Sequence, residues 1–154
     1  MCGIFALLNN EANYSETVHY DEETVGTRTL TRKQLSTNFI TRQFEIGKKR
    51  GPEFSKTKEL DEKTFLGFHR LAINGLNDGA NQPMLINNIY LICNGEIYNY
   101  KELYQLMPEV KPYTDSDCEV IIHLFCLYGI EQTLAMLDGV FAFVLIDNNM
   151  NHDG

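Results

Sequence analysis

The apolar residues of this chain fall in short runs, each closed by asparagine, glycine or proline. Ile4-Phe5-Ala6-Leu7-Leu8 is continuous and ends at Asn9-Asn10, which predicts a buried strand. Glu11 to Thr31 is polar and threonine-rich without clear periodicity, and predicts a surface loop or insertion. From Thr31 the spacing turns helical. Leu35, Phe39, Arg42-Gln43 and Ile46 fall near i, i+4, i+7/8 and i+11, a modest stripe stopped by Gly47-Lys48-Lys49-Arg50-Gly51-Pro52. Thr64 to Ile73 reads as a mostly buried strand, yet it carries His69 and Arg70, which an interior does not leave unpaired. After a turn-rich loop from Gly75 to Ala80, Met84-Leu85-Ile86, Asn87-Asn88 and Ile89 to Cys93 form a hairpin whose second strand runs into Asn94-Gly95.

Asn99 is placed to N-cap a short helix through Leu103 and Leu106. Ser116 with Glu119 makes a capping box for a helix that uses Val120, Ile121, Leu124 and Leu127 and ends at Gly129. A further short helix covers Glu131 to Leu137, and Val140 to Ile146 is a buried strand beyond Gly139. The tail from Asp147 to Gly154 is polar and reads as frayed. Strands at both ends, with a hairpin and helices between, predict an α+β or layered α/β class.

At 154 residues the chain is one domain with enough length for a real core. A net charge of −8 disfavours nucleic acid and anionic lipid surfaces as partners. No segment reads as long enough to span a bilayer, and no secretory leader is evident. Cys2, Cys93, Cys118 and Cys126 lack the close spacing of a zinc site, so no metal is expected. The setting they suggest is a reducing, cytoplasmic one.

The candidate chemistry begins at Met1-Cys2-Gly3-Ile4-Phe5. With Met1 removed, Cys2 carries a thiol and a free α-amine on one carbon. A reference thiol titrates near 8.5 and an α-amine at about 7.7–8.0, so one residue could supply both nucleophile and general base. Taken alone, this stretch is better read as a buried strand cysteine.

The rest of the chain changes that reading. Arg50-Gly51-Pro52, His69-Arg70-Leu71-Ala72-Ile73, Gln82-Pro83, Asn94-Gly95-Glu96-Ile97-Tyr98-Asn99, Ser116-Asp117-Cys118-Glu119 and Leu137-Asp138-Gly139-Val140-Phe141-Ala142-Phe143 follow Cys2 in order. With them the chain resembles the class II, N-terminal nucleophile glutamine amidotransferases, most closely the glutaminase half of glutamine-hydrolysing asparagine synthetase. The resemblance spans residues 1 to about 146. It implies an N-terminal-nucleophile-hydrolase-like four-layer αββα sandwich, here without its last strands. It also implies hydrolysis of L-glutamine to glutamate and ammonia by Cys2. Asn94 and Gly95 would form the oxyanion hole, and Arg70, Leu71, Ile73, Glu96 and Asp117 would bind the substrate. His69 is read as a packed or hydrogen-bonded strand histidine, because the Cys2 amine fills the role of base.

Two departures stand out. The Glu11–Thr31 segment is long for the family, and Glu53 stands where the family usually has Asp. The synthetase domain, with its pyrophosphate loop, is not in the sequence, so residues 1–154 read as a C-terminally truncated glutaminase domain or a stand-alone one. ATP and magnesium are expected only in that synthetase module, which would act in cis or in trans, and a homodimer is allowed. Two other readings stay open: a different class II amidotransferase, of glucosamine-phosphate or phosphoribosylamine type, and a non-catalytic glutamine-binding remnant.

Overall fold

The computed structural model describes residues 2–8, 13–19, 25–31, 35–71 and 80–149, of which 13–19 and 25–31 are described by their backbone. In chain order the elements are β1 (Gly3–Leu7), β2 (Asn13–His19), β3 (Val25–Thr31), α1 (Thr37–Ile46), a 3₁₀ turn (Gly47–Arg50), β4 (Phe54–Asp61) and β5 (Thr64–Arg70). They continue with β6 (Met84–Ile86), β7 (Ile89–Ile97), α2 (Tyr100–Gln105), a second 3₁₀ turn (Asp117–Glu119), α3 (Val120–Met136) and β8 (Gly139–Asp147). The strands form two antiparallel three-stranded sheets, ordered β1-β5-β4 and β6-β7-β8, and a separate β2-β3 pair.

Side chains alternate across a strand, and this alternation stacks the two larger sheets into layers. Leu66 and Phe68 of β5 meet Ile92 of β7 in one buried cluster, with Cys2, Ile4, Tyr90, Val144 and Ile146 packed around it. The opposite face of β7, through Leu91, Cys93 and Ile97, packs on Leu103 of α2 and on Val120, Ile121 and Leu124 of α3. The opposite face of the first sheet carries α1. Phe44 lies edge-on to Phe5 at 6.1 Å and stacks on His69 at 3.9 Å. The result is a four-layer αββα sandwich of α+β class. Gly67 admits α1 this closely: a Cβ there would sit 2.6 Å from the Phe44 ring.

Several expectations need correction. The Glu11–Thr31 segment contains a two-stranded antiparallel hairpin, β2-β3, in register from Asn13↔Thr31 to His19↔Val25. Its threonines suit extended backbone, a propensity that the missing period of hydrophobicity hid. In α1 the buried residues are Ile40 and Phe44, whereas Leu35, Phe39 and Ile46 are exposed. The true stripe is a single i, i+4 pair. The helix starts at Thr37, capped by Ser36 Oγ accepting from the Phe39 amide at 3.3 Å. Strand β4 gave no signal because Lys56-Thr57-Lys58-Glu59 is the exposed, charged sequence of an edge strand.

The hairpin turn is at Asn87-Asn88 as expected, both in left-handed backbone with φ of 51° and 62°, and β7 runs on through Ile97, so Asn94-Gly95 lies inside the strand. The Asp117–Met136 segment is, by length and composition, long and apolar enough to cross a membrane, contrary to expectation. Its apolarity serves the core, where Val120, Ile121, Ile122 and Leu124 are fully buried, and Gly129 interrupts the helix at φ 75°, ψ 175°. The tail is not frayed at its start. Asn148 N–H and Asn149 Nδ2 bond the carbonyls of Asn88 and Asn87, at 3.1 and 2.7 Å.

Candidate active site

The site is organised along one edge of β7. In an antiparallel strand the N–H and C=O of a residue point the same way, and successive residues alternate. The Cys93 N–H is taken by the Gln82 side-chain oxygen, and the Ile97 N–H by Asp117 Oδ2 at 2.6 Å. Gly95 lies midway between them, so its N–H points to the same edge. On the β8 side, a Cβ at Gly95 would press against the Val140 carbonyl and come within 2.7 Å of the Phe141 Cβ, so no larger residue fits.

Side-chain parity places the partners. Asn94 has the parity of Ile92 and faces the first sheet, where Cys2 and Arg70 have the parity of Ile4 and Phe68. Cys2, Arg70, Leu71, Asn94, Gly95, Glu96 and Asp117 therefore line one cavity of about 360 Å³. Ile73 and Met1 lie outside the described residues. The Cys2 thiol rests on the Leu71 peptide, 3.4 Å from both its carbonyl oxygen and its amide nitrogen. A thiolate there would keep the Leu71 N–H as a donor. Asn94 Oδ1 is buried yet has no hydrogen-bond partner among the described residues. An orphaned polar atom is costly unless something else satisfies it, so Oδ1 is open to a hydrogen-bond donor, whereas an oxyanion would call on the other end of the amide, the Nδ2 donor.

Arg70 and Asp117 are both buried. Arg70 Nη1 donates to Asn81 Oδ1 at 2.7 Å. Burial raises the pKa of the Asp117 carboxyl, as does the nearby Glu96, while the Ile97 amide and other backbone donors oppose the rise. His69 points away from the cavity, toward α1. Its Nε2 donates to the Phe44 carbonyl at 2.8 Å, so its Nδ1 accepts from the Ser55 hydroxyl at 2.7 Å. Both ring nitrogens are occupied, and this is a structural histidine.

Three contacts were not anticipated. Gln82 extends the β7 ladder where β6 stops, which gives the Gln-Pro pair a physical reason. Asn81, one residue earlier, braces the Arg70 guanidinium. Cys93 and Cys118 also line the cavity, but the Cys118 thiol is pushed far up by its hydrogen bond with Cys93 and by burial, so it stays protonated. Gln82 was visible as a motif residue, whereas Asn81 carried no signal beyond adjacency to it. Gly51 packs against the His69-Arg70 backbone, and the Glu53 N–H bonds the Arg70 carbonyl at 3.2 Å, so the Arg50-Gly51-Pro52 segment braces the end of β5.

Comparison with known proteins bears on the family and the fold. A family model described as a glutamine amidotransferase domain matches residues 1–153. Over 103 residues the chain is 44% identical to the glutamine-hydrolysing asparagine synthetases of Mesocricetus auratus and Homo sapiens. Over 102 residues it is 44% identical to a probable one from Acanthamoeba polyphaga mimivirus. Each match covers 64% of this chain and 18% of the relative, so the chain spans about a fifth of their length. Among solved structures, a glutamine phosphoribosylpyrophosphate amidotransferase from B. subtilis aligns with a TM-score of 0.50 and 22% identity. That match covers 95% of this chain and 29% of the other, and it supports the fold.

Proposed function

Because this chain belongs to the glutamine amidotransferase domain family, we propose that it hydrolyses L-glutamine to glutamate and ammonia through a thioester on Cys2. One observation carries the reading: the Cys2 thiol, ahead of the first strand of one sheet, lines the same cavity as Asn94 and Gly95 of β7 in the other. With Met1 removed, the Cys2 amine takes the thiol proton as sulfur attacks the side-chain carbonyl of glutamine. Asn94 and the Gly95 N–H bear the charge that develops on the carbonyl oxygen. The amine then returns the proton to the departing nitrogen, the C–N bond breaks, and ammonia leaves. Water attacks the thioester, releasing glutamate and the thiol. The cycle consumes one glutamine and one water, and calls on no cofactor of its own.

The remaining polar residues suit the ends of an amino acid. The planar fork of Arg70 fits the α-carboxylate, while Glu96 and Asp117 fit the α-ammonium. The Leu71 backbone would complete this pocket; Ile73, which the resemblance adds, lies outside the described residues. The ammonia would pass to an ATP-dependent synthetase module, in cis or in trans, for asparagine synthesis. Identity to asparagine synthetases supports that acceptor. Four free cysteines suit a reducing, cytoplasmic setting.

The test is Cys2→Ala. We expect glutamate release to vanish while circular dichroism and the unfolding midpoint stay close to wild type. Turnover at the wild-type rate would refute the nucleophile. Mass spectrometry of the same preparation establishes whether Met1 is gone, the condition for the amine to act as base.

A further inference from the structure

Glu119 stands in the wrong place for the cap the sequence suggests. Ser116 makes no side-chain capping bond, and the Glu119 carboxylate is fully buried. Its Oε1 accepts from the Tyr113 N–H at 2.7 Å and from His123 Nε2 at 2.9 Å, and its Oε2 accepts from the Thr114 N–H at 2.7 Å. Burial alone would raise its pKa, but the donors from His123, Thr114 and Tyr113 outweigh burial and hold it below the usual carboxylate range. A fully buried carboxylate is expensive, and this one uses its acceptors on a connecting segment rather than on its own helix.

That segment leads directly into the cavity. The Thr114 hydroxyl accepts from the Ser116 N–H at 3.1 Å, and the Glu119 N–H bonds the Ser116 carbonyl at 3.2 Å. Ser116 and Asp117 then line the catalytic cavity, with Asp117 joined to β7 at Ile97. The Tyr113 ring stacks over His123 at 6.1 Å and covers the pair. A rigid path therefore runs from Glu119 through residues 113–116 to the carboxylate of Asp117.

We propose that Glu119, braced by His123, is a positioning residue for glutamine selection: through the Tyr113–Ser116 segment it fixes where Asp117 meets the substrate's α-ammonium. This rests on the glutaminase reading above. Glu119 touches no substrate. Its effect passes through Asp117 alone, which distinguishes it from a general packing residue.

The experiment measures glutamate or glutarate release by wild type, Glu119→Gln, Asp117→Asn and the double variant. The substrates are glutamine and glutaric acid monoamide, which keeps the carboxamide and carboxylate but lacks the α-amine. Glu119→Gln keeps the shape but turns an N–H donor toward a backbone N–H. It should raise KM for glutamine about tenfold and leave kcat within about twofold. KM for the monoamide should not move, and Glu119→Gln should add nothing in the Asp117→Asn background. An equal rise for both substrates, additive effects in the double variant, or no rise at all would overturn the proposal. Should Glu119→Gln fail to fold by circular dichroism, Thr114→Val decides. It removes the hydroxyl that accepts from Ser116 and bonds Glu119 but keeps the backbone N–H link; the same selective loss is expected, whereas unchanged selectivity would overturn the proposal. A folded wild type that releases no glutamate from glutamine overturns the glutaminase reading, and this inference with it. Activity in wild type without the selective effect overturns the inference alone.

Discussion

At the scale of single residues, the cavity sets two carboxylates different tasks. Asp117 lines the cavity with its pKa raised by burial, whereas Glu119, two residues on, is held ionised by converging donors. Only ionised Asp117 attracts an ammonium group. With its pKa raised, binding should begin to fail on acidification at a higher pH than the ordinary carboxylate value of about 3.9 allows. The acid limb of kcat/KM for glutamine should therefore lie above that value, and Asp117→Asn should both weaken binding and flatten the limb. A profile from about pH 4 to 8 on the two proteins checks this. The sign for folding runs opposite in the two residues. The Asp117 contribution is largest at low pH and is lost as pH rises through its raised pKa. The Glu119 contribution is present at neutral pH and is lost on acidification through its lowered one.

At the scale of elements, β5 and β7 supply most of the site, and glycine sets how closely other elements approach them. Gly67 lets the Phe44 ring lie on β5, with that ring also stacked on His69 and so unable to move aside. Gly67→Ala should cost roughly 1–3 kcal/mol of stability by overpacking. It should leave the glutamine KM near wild type, because the clash falls on the face away from the cavity. Urea unfolding and steady-state kinetics on the same protein separate the two effects. The α3 helix shows the converse arrangement. Gly129 opens its backbone in a left-handed conformation, the Thr133 hydroxyl bonds the Gly129 carbonyl at 2.7 Å, and the helix resumes toward β8. The Asn99 side chain ties the end of that helix to α2, donating to the Met136 carbonyl at 2.9 Å and accepting from the Asp138 N–H at 3.0 Å. It stands at the predicted cap position but spends its amide on this tie, and makes no side-chain capping bond.

At the scale of the molecule, stability and site share one interior. Leu66, Phe68 and Ile92 fill the space between the sheets, and that same space opens into the cavity at Cys2, Arg70 and Asn94. Leu66 is fully buried there, so Leu66→Ala should destabilise the protein by about 2–5 kcal/mol. Because Phe68 lines the cavity beside it, loss of glutaminase activity on warming should track the unfolding transition of that variant. A thermal melt followed by residual activity checks this. Activity persisting well past unfolding of the sheets would contradict a shared core.

Much of the site was legible in the chain because its chemistry is carried by residue type at fixed order. A cysteine after Met1, an arginine in an apolar strand, and Asn-Gly and Ser-Asp pairs needed no coordinates to be singled out. Strand period fixes, in principle, which residues share a face. It could not tell which face turns inward, because that depends on partners far along the chain. Cys2 meets Leu71 across 69 positions, and His69 meets Phe44 across 25. The same limit explains the misplaced stripe of α1, whose buried side is chosen by Gly67, and the misread Glu119, whose acceptors go to a segment no local motif describes. Local composition determined the elements and the reactive groups. Only the packing of two sheets decided that His69 is structural, that Cys2, Asn94 and Gly95 line one cavity, and that Glu119 bonds the Tyr113–Thr114 segment rather than caps, since each depends on burial and long-range contact.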